Sequence, residues 1–148
     1  MDKAKIVEQL RVYLLERIAR TQHSIDEAIQ SRNSDTKSSA GDKHETGRAM
    51  VQLEIEKLQR LLGQTKAIYA SVDQIDPANS LDYVTAGALI GTESGTFLIG
   101  PGLGKVELEE GPVFCVSMNS PVGQAMSGLE AGGEFQLQTK TVTIDWVK

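Results

Sequence analysis

Two carboxylates three residues apart, Asp42 and Glu45, with His44 between them, are the group in this sequence best suited to chemistry. Held on one short arc, two such acids can share a divalent cation that something else already binds. They leave most of a magnesium shell to water or substrate, so no tight metal site is expected in the isolated protein. The same pair has the geometry of a capping box, in which Asp42 caps a helix and Glu45 folds back to it. Both readings can hold at once, because a helix N-terminus can fix a carboxylate's direction. His44 is a candidate base or ligand, set against the ordinary fate of a lone histidine exposed at a turn. Lys37, Lys43 and Arg48 surround the acids. They are candidate contacts for phosphates or for a partner's acidic wall, or else simply solvated charges.

The rest of the chain offers less. Ser117 and Ser120 have no histidine in their half, so no nucleophile–base arrangement forms there. Cys115 is the only cysteine, which excludes an intrachain disulfide and a cysteine-cluster metal site. It sits in an apolar run and reads as core. The stretch GPGLGK at 100–105 lacks the spacing of a phosphate loop and reads as a turn between strands.

The acids must be positioned by the elements on either side of them. Residues 2–30 and 45–70 both read as helix. Ile6, Leu10, Leu14, Ile18, Ile25 and Ala28 form a stripe on the first, helped by Val7, Tyr13 and Ile29. Val51, Ile55, Leu58, Leu62, Thr65 and Tyr69 recur at steps of four and three on the second, with Met50, Leu53, Leu61 and Ile68 widening the stripe. No proline occurs before Pro77, so nothing forces a kink. The expected result is an antiparallel hairpin of helices about 40 Å long. Its turn is SRNSDTKSSAGDKHE, where the Ser, Asn, Asp and Gly residues of 31–41 stop the first helix.

The expected organisation is a hairpin over 1–75, a linker over 76–82 around Pro77, and a second domain over 83–148. There the pattern changes from helical to alternating. VTAGALIGTES, GTFLIGPG and GPVFCVSMN read as strands between glycines, and FQLQTKTVTIDWV as one or two more. SPVGQAMSGLEAGGE reads as a short helix, with Ser120 as its cap and Pro121 in its first position. Phe135 and Trp146 read as core of this small domain, with pocket lining as the alternative. The fold class is therefore α+β: a long helical hairpin followed by a small antiparallel sheet domain of four to six strands with one helix on a face.

Charge narrows the partners. Residues 1–78 carry twelve acids and twelve bases, whereas 79–148 carry eight acids and three bases. The second domain is thus poorly suited to gripping a phosphate backbone alone, although a partner protein can hold the nucleic acid. No stretch approaches the apolar length of a membrane span, and Met1 is followed by charged residues, so a cytoplasmic protein without a membrane partner is expected.

Two stretches carry a resemblance. NSPVGQAMSGLEAGGEFQL at 119–137 resembles the Asn-Ser-Pro, short-helix, turn and strand sequence of bacterial Gre-type transcript cleavage and elongation factors, with Gly133 where that family usually has Asp. GDKHETGRA at 41–49 resembles the family's acidic tip motif, with Asp42 and Glu45 on its two acids. Lys43 stands where Leu is common, and Thr46, Gly47 and Arg48 where Asn, Ala and Glu are usual. Arg48 is also spaced to pair with Glu45 across one turn. Hairpin, linker and small domain follow the family's order over nearly the whole length.

The resemblance implies an FKBP-like C-terminal domain and a monomer that binds core RNA polymerase through its secondary channel, with the DNA-binding association typical of transcription factors. Asp42 and Glu45 would be the catalytic acids. They would be transient ligands to a Mg²⁺ held mainly by the polymerase, and would help orient the water that cleaves backtracked RNA. Lys37, Lys43, Arg48, Ser120 and Pro121 would contact the partner. The intrinsic nuclease would be the polymerase's own, so the chain would activate it rather than be an enzyme by itself. Alternatives are a regulator that occupies the same channel without cleavage, a helical adaptor whose acids only cap, and a prolyl isomerase. The last needs an aromatic-lined pocket drawn from Tyr83, Phe97, Phe114, Phe135 and Trp146.

Overall fold

The computed structural model describes residues 1–35 and 42–148, with the backbone alone for Asp35 and 42–44. Its elements run α1 (Lys3–Asp35), α2 (Asp42–Asp73), β1 (Leu89–Thr92), β2 (Gly95–Ile99), β3 (Gly104–Leu108), β4 (Gly111–Val116), α3 (Pro121–Met126), β5 (Glu134–Leu137) and β6 (Lys140–Val147). This is the expected α+β architecture, a helical hairpin followed by a sheet domain with one short helix. The chain divides into two compact units, Val12–Tyr69 and Met1–Arg11 with Ala70–Lys148. The first turns of α1 and the last turn of α2 therefore belong with the sheet.

In the unit Val12–Tyr69 the two helices close on one seam. Leu14, Thr21 and Ile25 of α1 and Ile55, Leu62 and Thr65 of α2 are buried there. Their steps of three, four and seven residues keep one face inward. Each fully buried Leu or Ile contributes about 1.5–3 kcal/mol. The two threonines add no orphaned hydroxyl: Thr21 Oγ1 donates to the Arg17 carbonyl and Thr65 Oγ1 to the Leu61 carbonyl, both at 2.9 Å.

Two expectations for the hairpin are corrected. Met50 and Leu53 do not widen the seam but stand 67% and 65% exposed. Leu53 is two residues from both Val51 and Ile55, which turns it about 200° from each, out toward solvent. Helix α1 also continues through 31–35, where Ser31, Asn33 and Ser34 were expected to end it. Each such residue disfavours helix by only several tenths of a kcal/mol. The seam meanwhile gains one more cross-helix contact, from Arg32 to Gln52.

The other unit holds a six-stranded sheet in the order β3-β4-β2-β1-β6-β5. All neighbours are antiparallel except β2 and β4, which run parallel from Thr96↔Val113 to Ile99↔Val116. One side of the sheet carries Ile90, Phe97, Ile99, Val142 and Ile144, packed with Val84, Met126 and Phe135 in a single core. Strand alternation sends Leu89, Leu98, Val113 and Cys115 to the opposite side, where they are equally buried. Ile6, Val7, Leu10 and Val72 are completely buried in this same unit. Polar bonds tie the base of α1 in: Gln9 Oε1 accepts from the Glu110 amide at 3.2 Å, and Lys3 Nζ donates to the carbonyls of Asn79 and Lys148 at 3.2 Å each. Burial lowers the pKa of the Lys3 ammonium, while the Asp76 carboxylate acts in the opposite sense.

The run 100–105, expected as turn, is turn only in its first part. Gly104, at φ 71°, and Lys105 open the edge strand β3. Lys105 and Glu107 lie 3.1 Å apart on that strand, and charges on an edge discourage pairing with another chain.

Candidate functional site

Helix α2 begins at Asp42, which places Glu45 in its opening turns at the turn end of the hairpin. Tyr69, the last residue of that unit, lies about 36 Å further along the helix. Glu45 is exposed. Three residues of helix advance by about 300°, so the backbone positions of Asp42 and Glu45 lie only about 60° apart in azimuth. The helix N-terminus favours negative charge at both positions.

The side chains of Asp42, Lys43 and His44 lie outside the described residues, and with them the capping-box reading. Lys37 lies outside them entirely. Arg48 is exposed, and among the described residues no ion pair or hydrogen bond joins it to Glu45, so the expected pairing across one turn is not made. No group of three or more His, Cys, Asp or Glu that could hold a metal occurs among the described residues. A hard carboxylate oxygen on an exposed first turn fits Mg²⁺ as one ligand of a shell completed elsewhere.

None of the residues Glu45 to Met50 is buried. Gly47 has open space where a Cβ would sit. The polar contact nearest the tip with a described partner joins Arg32 to Gln52 at 2.7 Å. Arg32 was passed over in the sequence because it follows the expected helix end. The signal was present: the steps from Ile25 to Ala28 to Arg32 continue the seam's spacing.

In the sheet unit, Ser120 and Pro121 open α3 as expected. Ser120 Oγ accepts from the Gly123 amide at 3.0 Å and donates to the Ser117 carbonyl at 2.7 Å. Its hydroxyl is thus engaged by the chain itself, while Pro121 is exposed. Gly123 is required here, since a Cβ would overlap the Ser117 carbonyl oxygen.

The five aromatic residues considered as pocket lining divide. Phe97 stacks on Phe114 with ring centres 5.3 Å apart and meets Phe135 edge-on at 6.3 Å. Phe97 and Phe114 line a hollow of about 430 Å³ with Val122, Leu137, Gln138 and Lys140. Tyr83 is half exposed and bridges Glu130 on the backbone, and Trp146 lies against Gly91 beneath the Lys148 ammonium. Phe135 is core, as expected. Cys115 is core as well, and burial pushes its thiol pKa from 9.0 up to about 12. No described helix is long and apolar enough to cross a membrane.

No family model matches the chain, and no curated protein matches it. Among solved structures it is similar to the crystal structure of GreA factor homolog 1 (Gfh1) of Thermus thermophilus. That match has 16% identity and a TM-score of 0.38, over 93% of this chain and 94% of that one. It is similar also to a structure of the transcription factor Gfh1, with 14% identity and a TM-score of 0.37 over 93% and 92%.

Proposed function

We propose that this chain is a transcription elongation factor that inserts its hairpin tip into the secondary channel of RNA polymerase. There it stimulates Mg²⁺-dependent cleavage of backtracked RNA. The observation that carries the reading is Glu45: an exposed acid in the opening turns of α2, at the turn end of a hairpin closed by a continuous seam. The resemblance of residues 41–49 and 119–137 to Gre-type factors supports it independently of the geometry.

Asp42 and Glu45 are the residues that would hold the ion, with its remaining positions supplied by the polymerase. When bound, Mg²⁺ supplies charge stabilisation at phosphoryl oxygens. The chain's own contribution is reach and orientation. The seam stiffens the arm, the arm carries the carboxylates into a narrow space, and the helix N-terminus aims them. Affinity comes from protein contacts, with Lys37, Lys43 and Arg48 at the tip and Ser120 and Pro121 in the sheet domain as the candidates. A monomer suffices for this, and an acidic protein can thus act on RNA without gripping its backbone.

A channel-binding regulator that does not promote cleavage is the second reading. Thr46, Gly47 and Arg48 favour it, because they place a helix-weakening glycine and a cation beside the acids. One experiment separates the two. Asp42→Ala combined with Glu45→Ala is assayed for RNA release from a backtracked polymerase complex and, in parallel, for polymerase binding. Lost release with retained binding supports the cleavage role; release at the wild-type rate overturns it. A wild-type chain that binds and releases nothing establishes the second reading.

A further inference from the structure

The proposed chemistry of the tip leaves a buried cation in the sheet unit unused. Lys3 is 6% exposed, and lysines are almost never so buried unless paired. Its Nζ donates to the carbonyls of Asn79 and Lys148, at 3.2 Å each. An ammonium carries three protons. Among the described residues no acceptor takes the third, and no side-chain carboxylate forms an ion pair with the group. Asp76 acts on it at longer range. Burial lowers the pKa of Lys3, so its charged form is held at a cost that an anion beside it would offset.

Lys3 and Asn79 form a wall common to two hollows of this unit. The larger, about 510 Å³, has the size of a small-molecule site. Ile75, Leu81, Ile99 and Pro101 give it apolar lining. A Cβ on Gly100, which also lines it, would meet Ile75 Cδ1 at 3.8 Å and nothing nearer, so the hollow is open at that point. Charge narrows the ligand. The single ammonium shares the lining with the Asp76 carboxylate, and residues 79–148 carry eight acids against three bases. That balance favours one negative charge over a dianion such as a phosphate monoester. The apolar lining favours an apolar body behind the charge.

We infer that this hollow is a binding site for a small monocarboxylate with an apolar body. The carboxylate accepts the third proton of Lys3 Nζ, and the body lies on Ile75, Leu81 and Pro101. The site is independent of the tip and of any role in RNA cleavage. Hexanoate, 1-hexanol and hexyl phosphate are titrated into the full chain at neutral pH, with binding read from backbone amide shifts and calorimetry. Hexanoate is expected to move the amides of Asn79, Gly87 and Gly100 and to half-saturate near about 1 mM, an ordinary strength for so few atoms. 1-Hexanol should bind about tenfold more weakly, the scale of a hydrogen bond to a charged group. Hexyl phosphate should bind no more tightly than hexanoate. Absence of these shifts at about 10 mM hexanoate, tenfold above the expected midpoint, overturns the inference. So does 1-hexanol that matches hexanoate, or hexyl phosphate that exceeds it.

Three variants locate the site. Lys3→Met should weaken hexanoate binding about tenfold, the same hydrogen-bond scale. Gly100→Val keeps the charge, fills the hollow and should abolish the amide shifts, so the test holds even where Lys3→Met fails to fold. Asp76→Asn removes a like charge and should tighten hexanoate about twofold. Wild-type affinity in Gly100→Val or in a folded Lys3→Met overturns the inference, as does binding no tighter than wild type in Asp76→Asn.

Discussion

Arg11 Nε lies 3.1 Å from Asp73 Oδ1, joining α1 to the final residue of α2. The contact is one of charge more than of alignment, since the buried Nε–H is not aimed at the carboxylate. The same guanidinium sends Nη2 to the Asp73 carbonyl at 3.5 Å and Nη1 to Glu8 Oε2 at 3.3 Å. A cation is thus placed where α2 ends and its dipole is negative. Arg11 with Asp73 and Arg32 with Gln52 are both symmetric about the turn, the register an antiparallel pair requires.

Because Asp73 is 57% exposed, its charge adds little by itself. Asp73→Asn should change stability by less than about 1 kcal/mol. Arg11→Ala, which also removes packing and the bond to the last carbonyl, should cost more. Urea denaturation of the two variants checks the order.

The exposed pair on the outer face of α2 gives a second prediction. Met50→Ser and Leu53→Ser should each leave stability within about 0.5 kcal/mol of wild type. Ile55→Ala, in the seam at 2% exposure, should cost about 2–5 kcal/mol. Equal losses at all three positions in thermal unfolding would contradict the placement of the seam.

Two glycines should respond in opposite directions. Gly47→Ala meets nothing within 4 Å and should stabilise the helix by about 1 kcal/mol. Gly123→Ala drives a Cβ into the Ser117 carbonyl and to 2.9 Å from Met118 Cα, and should cost about 1–3 kcal/mol. Chemical denaturation reads both.

The buried thiol makes a pH prediction with a definite sign. Well below pH 9 Cys115 keeps its proton whether the chain is folded or not, so it adds no pH dependence there. From 9.0 toward about 12 the unfolded thiol ionises and the folded one does not, so stability falls as pH rises through that window. Cys115→Ala should flatten this part of the curve in a pH series of melting temperatures. A thiol reagent at neutral pH should modify wild type only at the rate of opening.

Much of the architecture was legible because its signals are local and periodic. The steps of three and four from Val51 to Tyr69 announce a helix with one inward face, and Ser120-Pro121 announces the start of α3. Other features depend on sums that no local window contains. Ser31, Asn33 and Ser34 argue only weakly against helix, and α1 runs on through them to Asp35. Leu53 reads as apolar and therefore inward, but its azimuth points it outward. Lys3, to which no local pattern draws attention, is buried with two carbonyl partners.

The sequence by itself determined the two helices, the alternating domain after them, and the placing of Asp42 and Glu45 at the turn end of the hairpin. These follow from propensity and periodicity, which act over a few residues. The tertiary structure alone decided that the first eleven residues join the sheet unit, that β4 inserts beside β2 in parallel, and that Phe97, Phe114 and Phe135 meet while Tyr83 and Trp146 stay apart. Each of these outcomes brings together segments far apart in the chain, and the burial that stabilises them exists only once the surfaces have met.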